Sequence, residues 1–115
     1  MFYKVTNKEM LEACFEIRKE VFVKEQNVPE DHEIDEYDEN AIHVIGYDND
    51  NHPIATARIR LLNETTGKVE RVAILKDYRG RGLGLKLLNF VEQTANENQL
   101  TFLTMNAQHL SLIHI

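Results

Sequence analysis

Residues 75–86 read LKDYRGRGLGLK, placing three glycines and four cations in one short stretch ahead of a long amphipathic segment. The stretch follows KVERVAIL (68–75), an apolar-rich run with strand character, and precedes a row of Leu83, Leu87 and Val91 extended by Leu88 and Ala95. Apolar residues at three- and four-residue spacing predict a helix, so the motif reads as strand, glycine turn, helix. LTFLTMN (100–106) reads as the next strand. A strand–helix–strand crossover makes its two strands parallel neighbours.

Upstream, AIHVIGY (41–47), IATARIRLL (54–62) and KVERVAIL are separated by the polar turns DNDNHP and NETTG. Short turns of this kind predict an antiparallel meander. MFYKV (1–5) supplies a first strand, and Thr6 with Glu9 fits a capping box for the helix that follows. That helix carries Met10, Cys14, Ile17 and Val21 on one face, with Leu11, Phe15 and Phe22 beside it, and ends before Pro29. The expected architecture is a mixed α/β (α+β) fold in one domain spanning 1–115, a mostly antiparallel sheet flanked by helices.

The chain has 115 residues, 43% of them hydrophobic and 28% charged, with a formal net charge of −6. A pI near 5.3 argues against non-specific binding to nucleic acid or an anionic membrane. A mean hydropathy of −0.41, no apolar run of the roughly 20 residues a span requires, and no signal-peptide pattern lead to the expectation of a cytoplasmic protein. The single cysteine, Cys14, cannot form an internal disulfide and falls on the apolar face of the first helix, as a core thiol would.

The glycine stretch fits neither common phosphate fingerprint. G-x-G-x-x-G would need glycine where Leu85 stands, and no glycine pair has the P-loop spacing before Lys-Ser or Lys-Thr. Glycines at a helix start still let backbone N–H groups approach an anion closely, and Arg79 and Arg81 add charge at the rim. The alternative is a tight turn with solvated arginines.

Arg79-x-x-Gly82-x-Gly84 resembles the [Q/R]-x-x-G-x-[G/A] signature of the GNAT superfamily of N-acetyltransferases. EIRKEVFVKEQNVPEDHEIDEYDENAIHV is similar to a bacterial subfamily with an R-x-x-VFV-x-EQ-x-x-P segment, acidic residues and a strand histidine. The resemblance runs from the first strand to about Gln108. It implies an acetyl-CoA-dependent transfer of an acetyl group to a primary amine of a small molecule or peptide. The diphosphate would sit on Arg79, Gly80, Arg81, Gly82, Leu83 and Gly84. The pantetheine arm would pair with Val72, Ala73 and Ile74 where that strand splays from the next, with Asn106 as a further coenzyme contact. An amide N–H of Val72–Ile74 would polarise the thioester carbonyl.

An ammonium acceptor, with a pKa of about 10.4 in water, must lose a proton before it attacks. Glu70 is the candidate general base, placed by strand alternation on the face of Val72 and Ile74; a structural ion pair with Arg58 or Arg60 is its alternative role. On the acceptor side the resemblance points to Glu25, Gln26 and His43, with Glu33, Asp35 and Asp38 nearby. Packing for His43 and a solvated acidic loop for the carboxylates are the alternatives. Neither the histidines nor the acidic run has a metal-binding spacing, so no metal is expected.

In the family's pattern a helix and two strands follow the strand at 100–106, and that helix usually carries a tyrosine that protonates the leaving thiolate. Here no tyrosine follows Tyr78, and the chain ends at Ile115 with HLSLIHI. The expectation is a truncated domain with an atypical tail at 109–115, a strand edge left uncovered, and a tendency to self-associate, for instance as a homodimer.

Overall fold

A computed structural model describes residues 1–29, 34–106 and 110–114, with Asn106 and the last segment described by their backbone. The elements are β1 (Phe2–Lys4), α1 (Lys8–Arg18), β2 (Ile42–Tyr47), β3 (Pro53–Leu61), β4 (Thr66–Ile74), α2 (Leu83–Glu97), β5 (Phe102–Asn106) and β6 (Leu110–His114). A π-helical segment, Lys19–Glu25, prolongs α1, and a 3₁₀ turn, Lys76–Tyr78, leads toward α2. The six strands form one sheet in the order β1-β2-β3-β4-β5-β6. Every neighbouring pair is antiparallel except β4 and β5, which α2 connects as a parallel pair. The mixed α/β class, the meander and the parallel crossover therefore stand as the sequence implies.

The two helices bury opposite faces of the sheet. Leu87, Val91 and Ala95 of α2 pack on Val44, Ala57, Ile59 and Val69, whereas Cys14, Ile17 and Val21 pack on Ile45 and Ala73. Strand side chains alternate between faces, so the adjacent residues Val44 and Ile45 serve different layers. Cys14 is fully buried, its Sγ donating to the Val44 carbonyl at 3.8 Å, and burial pushes its thiol pKa up. It is a core thiol.

Two local readings change. The cap of α1 is Asn7, whose side chain accepts from the Met10 N–H at 2.9 Å, while the Thr6 hydroxyl turns to the Met10 sulfur. Asparagine and threonine are both good caps; the chain enters the helix one residue later than the capping-box reading places it. The tail is not a loose end either. Residues 110–114 pair antiparallel with β5, from Phe102↔His114 to Asn106↔Leu110, so the outer edge of β5 is covered by the chain itself. No helix among the described residues is long and apolar enough to cross a membrane.

Leu87 is fully buried at the centre of the α2 layer. Leu87→Ala is expected to cost about 2–5 kcal/mol through lost transfer energy and a residual cavity, read as a fall in the urea unfolding midpoint at unchanged slope.

Candidate active site

The site begins with a mismatch between the two edges of β4. Toward β3, β4 is paired along its length, from Leu61↔Gly67 to Ala55↔Ile74. Toward β5, the register runs from Thr66↔Phe102 only to Val69↔Met105. Beyond Val69 no pairing of β4 with β5 occurs among the described residues, and a cleft of about 310 Å³ is lined by Phe22, Val28, Glu70, Arg71, Val72 and Met105. The Leu75 N–H bonds to the Ile54 carbonyl on the β3 side. Alternation then turns the backbone groups of Ile74 and Val72 toward the gap. Of the residues expected along that gap, Val72 lines the cleft.

A bulge interrupts β4 inside this region. Thr56 faces Ala73 and Arg58 faces Glu70, so Arg71 and Val72 together oppose the single residue Ala57. Arg71 takes a left-handed conformation, φ 54°. An extra residue reverses the alternation beyond it. Glu70 therefore does not share a face with Val72 and Ile74: those two pack toward α2, while Glu70 bonds to Arg58 on the α1 side. The face-sharing argument for Glu70 fails, although Glu70 still lines the cleft. Its Oε1 accepts from Arg58 Nη2 at 2.7 Å and lies 3.3 Å from Arg60 Nε, and Oε2 lies 3.6 Å from Lys68 Nζ. The alternative ion-pair role is fully realised.

The glycine bend follows. Gly80 (φ 79°) and Gly82 (φ 75°) both adopt the left-handed region, and a Cβ on either would meet nothing within 4 Å. The space into which those Cβ atoms would project is open. Gly82 caps α2 with no side-chain hydrogen bond, so the first N–H groups of a 15-residue helix are not claimed by a capping side chain. The macrodipole places partial positive charge at this end. Arg81, Lys76 and Lys86 have no carboxylate partner among the described residues, and Arg81 lies over the Tyr78 ring at 5.4 Å. The Tyr78 hydroxyl donates to Asp48 Oδ2 at 2.7 Å. With the His52 N–H, that hydroxyl holds the Asp48 carboxyl down at about 2. Asp48, Asp50 and His52 bring potential ligand atoms within 4.8 Å of one another, but the Asp48 carboxylate is already occupied by this turn. Leu83 and Gly84 open α2, with Leu83 packed against its core and Gly84 beside Ile74.

Arg79 behaves differently from Arg81. Its Nε donates back to the Ile74 carbonyl at 2.8 Å and its Nη2 to Glu25 Oε1 at 3.0 Å. Glu25 is therefore paired across the fold rather than presented to an acceptor. Gln26 is exposed where the π-helical segment ends. Glu33 lies outside the described residues.

Asp35 and Asp38 depart furthest from the picture of a solvated loop. Asp38, 6% exposed, takes Arg18 on both oxygens (2.7 and 3.2 Å) and Arg58 Nη1 at 3.0 Å. Asp35 takes Arg58 Nη1 at 2.7 Å and Arg71 Nη2 at 3.1 Å. Burial alone would raise the Asp38 carboxyl, but Arg18, the Asp35 N–H and Arg58 outweigh it and hold it at about 2. His43 donates from Nε2 to the Asp38 carbonyl at 2.9 Å, leaving buried Nδ1 without a partner among the described residues, and burial lowers its pKa. It is packed under Phe15 rather than placed in the cleft. Sequence reasoning missed this network, yet the signal existed. Arg18 follows Cys14 by four residues on the buried face of α1, and a cation there requires an anion.

Truncating Asp38 to Ala removes the carboxylate shared by two guanidinium groups that are each 1% exposed. The expected loss is about 3–5 kcal/mol, measured by urea unfolding. Acid should weaken the fold in two stages. His43 binds a proton less readily when folded, so its contribution is present above about 6.5 and declines as pH falls below it. Asp38 then loses its contribution, together with Asp48, between about 4 and about 2. His43→Gln should flatten the first stage in a pH series of unfolding midpoints and leave the second in place.

Comparison with known proteins matches this geometry. The model of the acetyltransferase (GNAT) family matches residues 11–113. The Bacillus subtilis protein named as an uncharacterized N-acetyltransferase, YjcF, is 38% identical over 102 residues, covering 89% of this chain and 71% of YjcF. Among solved structures, an acyl-CoA N-acyltransferase from Pseudomonas aeruginosa superposes with TM-score 0.81 at 26% identity, over 94% of this chain and 79% of that one. An aminoglycoside 6'-N-acetyltransferase complexed with coenzyme A shares the fold alone, with TM-score 0.71 at 12% identity over 91% of this chain and 60% of that one. The chain belongs to the GNAT family of acetyltransferases.

Proposed function

We propose that this protein transfers an acetyl group from acetyl-CoA to a primary amine of a small molecule or peptide. The observation that carries the reading is the continuity of an open, cationic glycine bend with the gap beside β4. A diphosphate on the N–H groups of the bend places the rest of the coenzyme along Val72–Ile74. The coenzyme supplies the activated acetyl group as a thioester. The chain supplies helix-end and bend N–H groups for the phosphates, gap-facing backbone for the arm, and an amide near the bulge for the thioester oxygen. Such donors act strongly because they are fixed before charge develops. The apolar walls of the cleft, Phe22, Val28 and Met105, exclude water around the reacting carbon.

Glu70 is the group in the cleft able to take a proton from the amine, directly or through water, if its cation partners reorganise. Its engagement by Arg58, Arg60 and Lys68 favours a second reading, a coenzyme-binding domain without turnover. Release of free thiol from acetyl-CoA over a panel of amines separates the two. Under the first, Glu70→Gln lowers kcat by about 10²-fold with little change in coenzyme affinity; under the second, no amine raises thiol release above background.

The coenzyme half is tested by Gly82→Asp. Aspartate tolerates the left-handed backbone better than most residues but puts a carboxylate where the phosphates would lie. Calorimetric titration with acetyl-CoA should show saturable heat for the natural chain and none for Gly82→Asp. A natural chain without saturable heat removes the proposal.

A further inference from the structure

Arg79 opens the glycine bend, yet its side chain is spent away from it. Nε holds the Ile74 carbonyl at 2.8 Å, and Nη2 lies 3.0 and 2.9 Å from the two oxygens of Glu25. One guanidinium thus joins the rim of the bend, the gap-facing backbone of β4 and the end of the π-helical segment. That segment also carries Phe22, a wall of the cleft. The three meet at one cation although Glu25 and Arg79 are 54 positions apart.

We propose that Glu25 and Arg79 form a latch that coenzyme binding must exchange, with Glu25 a positioning residue acting through Arg79. The inference rests on the coenzyme reading above. An arm laid along β4 competes with Arg79 for the Ile74 carbonyl, because that carbonyl faces the gap. A diphosphate in the bend offers Arg79 a stronger, charge-assisted partner within the same loop. The pair with Glu25 is easily surrendered, since the side chains are 42% and 29% exposed and ion pairs of that exposure contribute little. Opening the latch frees the Ile74 carbonyl for the arm and releases the π-helical segment from the bend. Coenzyme occupancy is thereby communicated to one wall of the cleft.

The test is calorimetric titration of the full chain with coenzyme A, using Glu25→Gln, Arg79→Met, their combination, and Glu20→Gln. Glu20 lies in the same segment and pairs with Lys24, outside the latch. Glu25→Gln has no latch to open and should bind about two- to fivefold tighter than the natural chain, a gain that a merely structural role cannot produce. Arg79→Met should bind more weakly, and adding Glu25→Gln to it should change nothing further. Glu20→Gln should match the natural chain. Unchanged or weaker binding by Glu25→Gln overturns the latch. So does a gain that persists without Arg79 or is matched by Glu20→Gln, because either traces to general loss of negative charge. If the natural chain binds no coenzyme A, the coenzyme reading falls and the latch with it; the other failures leave that reading intact.

Discussion

Strand β4 has different obligations on its two edges, and the site follows from that inequality. Its β3 edge is paired through Ile74, which fixes the strand in the middle of the sheet. Among the described residues its β5 edge is paired only through Val69. A central strand with unpaired backbone is costly unless something else bonds to it, because buried N–H and C=O groups are almost always satisfied. Arg79 supplies part of that satisfaction at Ile74, and a ligand arm of strand-like shape can supply it instead. The bulge at Arg71 and Val72 adds local twist where the strands part and sends Glu70 and Val72 to opposite faces. Bulge and cleft thus lie together where the described pairing of β4 with β5 ends.

The second constraint is ionic. Arg18 and Arg58 are large, fully buried cations on the α1 side of the sheet, and Asp35, Asp38 and Glu70 surround them. Buried ion pairs of this kind are seldom net stabilisers compared with an apolar core, but removing one partner is severe. Their use here is geometric. Arg58 draws the loop carboxylates of Asp35 and Asp38 onto β3 and places Glu70 between cations at the edge of the cleft. Asp35 and Asp38 thereby bond the described end of the loop after α1 to the sheet.

Much of the architecture was legible because it depends on local signals that no distant contact overrides. Polar turns of a few residues force antiparallel neighbours, a helix between strands forces a parallel pair, and two apolar faces on two helices require two sides of a sheet. The bulge was not legible. Nothing in KVERVAIL marks Arg71 for a left-handed conformation, and one hidden residue inverts every facing deduced beyond it. The roles of Asp35 and Asp38 are hidden in the sequence for a related reason. Carboxylates in a Pro-bounded loop look solvated until the buried arginines that need them are placed, and burial of Arg18 and Arg58 is a tertiary fact. HLSLIHI was read by its failure to match a family pattern, whereas the pairing of 110–114 with β5 rests on backbone hydrogen bonds that any sequence can offer.

These two constraints also bear on how a net-acidic chain could serve the diphosphate site proposed above. Net charge describes solubility and long-range steering, not which charges remain available. Here Asp35, Asp38 and Glu70 are taken up by Arg18, Arg58 and Arg71 within the fold, and Asp48 by a tyrosine hydroxyl and a backbone turn. The cations of the bend have a different standing. Arg81, Lys76 and Lys86 face solvent without carboxylate partners among the described residues, next to helix N–H groups that no side chain caps. Cationic side chains therefore stand beside open backbone at the bend, and screening over about 8–10 Å limits how far acidic residues elsewhere offset them. The diphosphate proposed above would meet these charges at contact distance, whatever the sign of the whole chain.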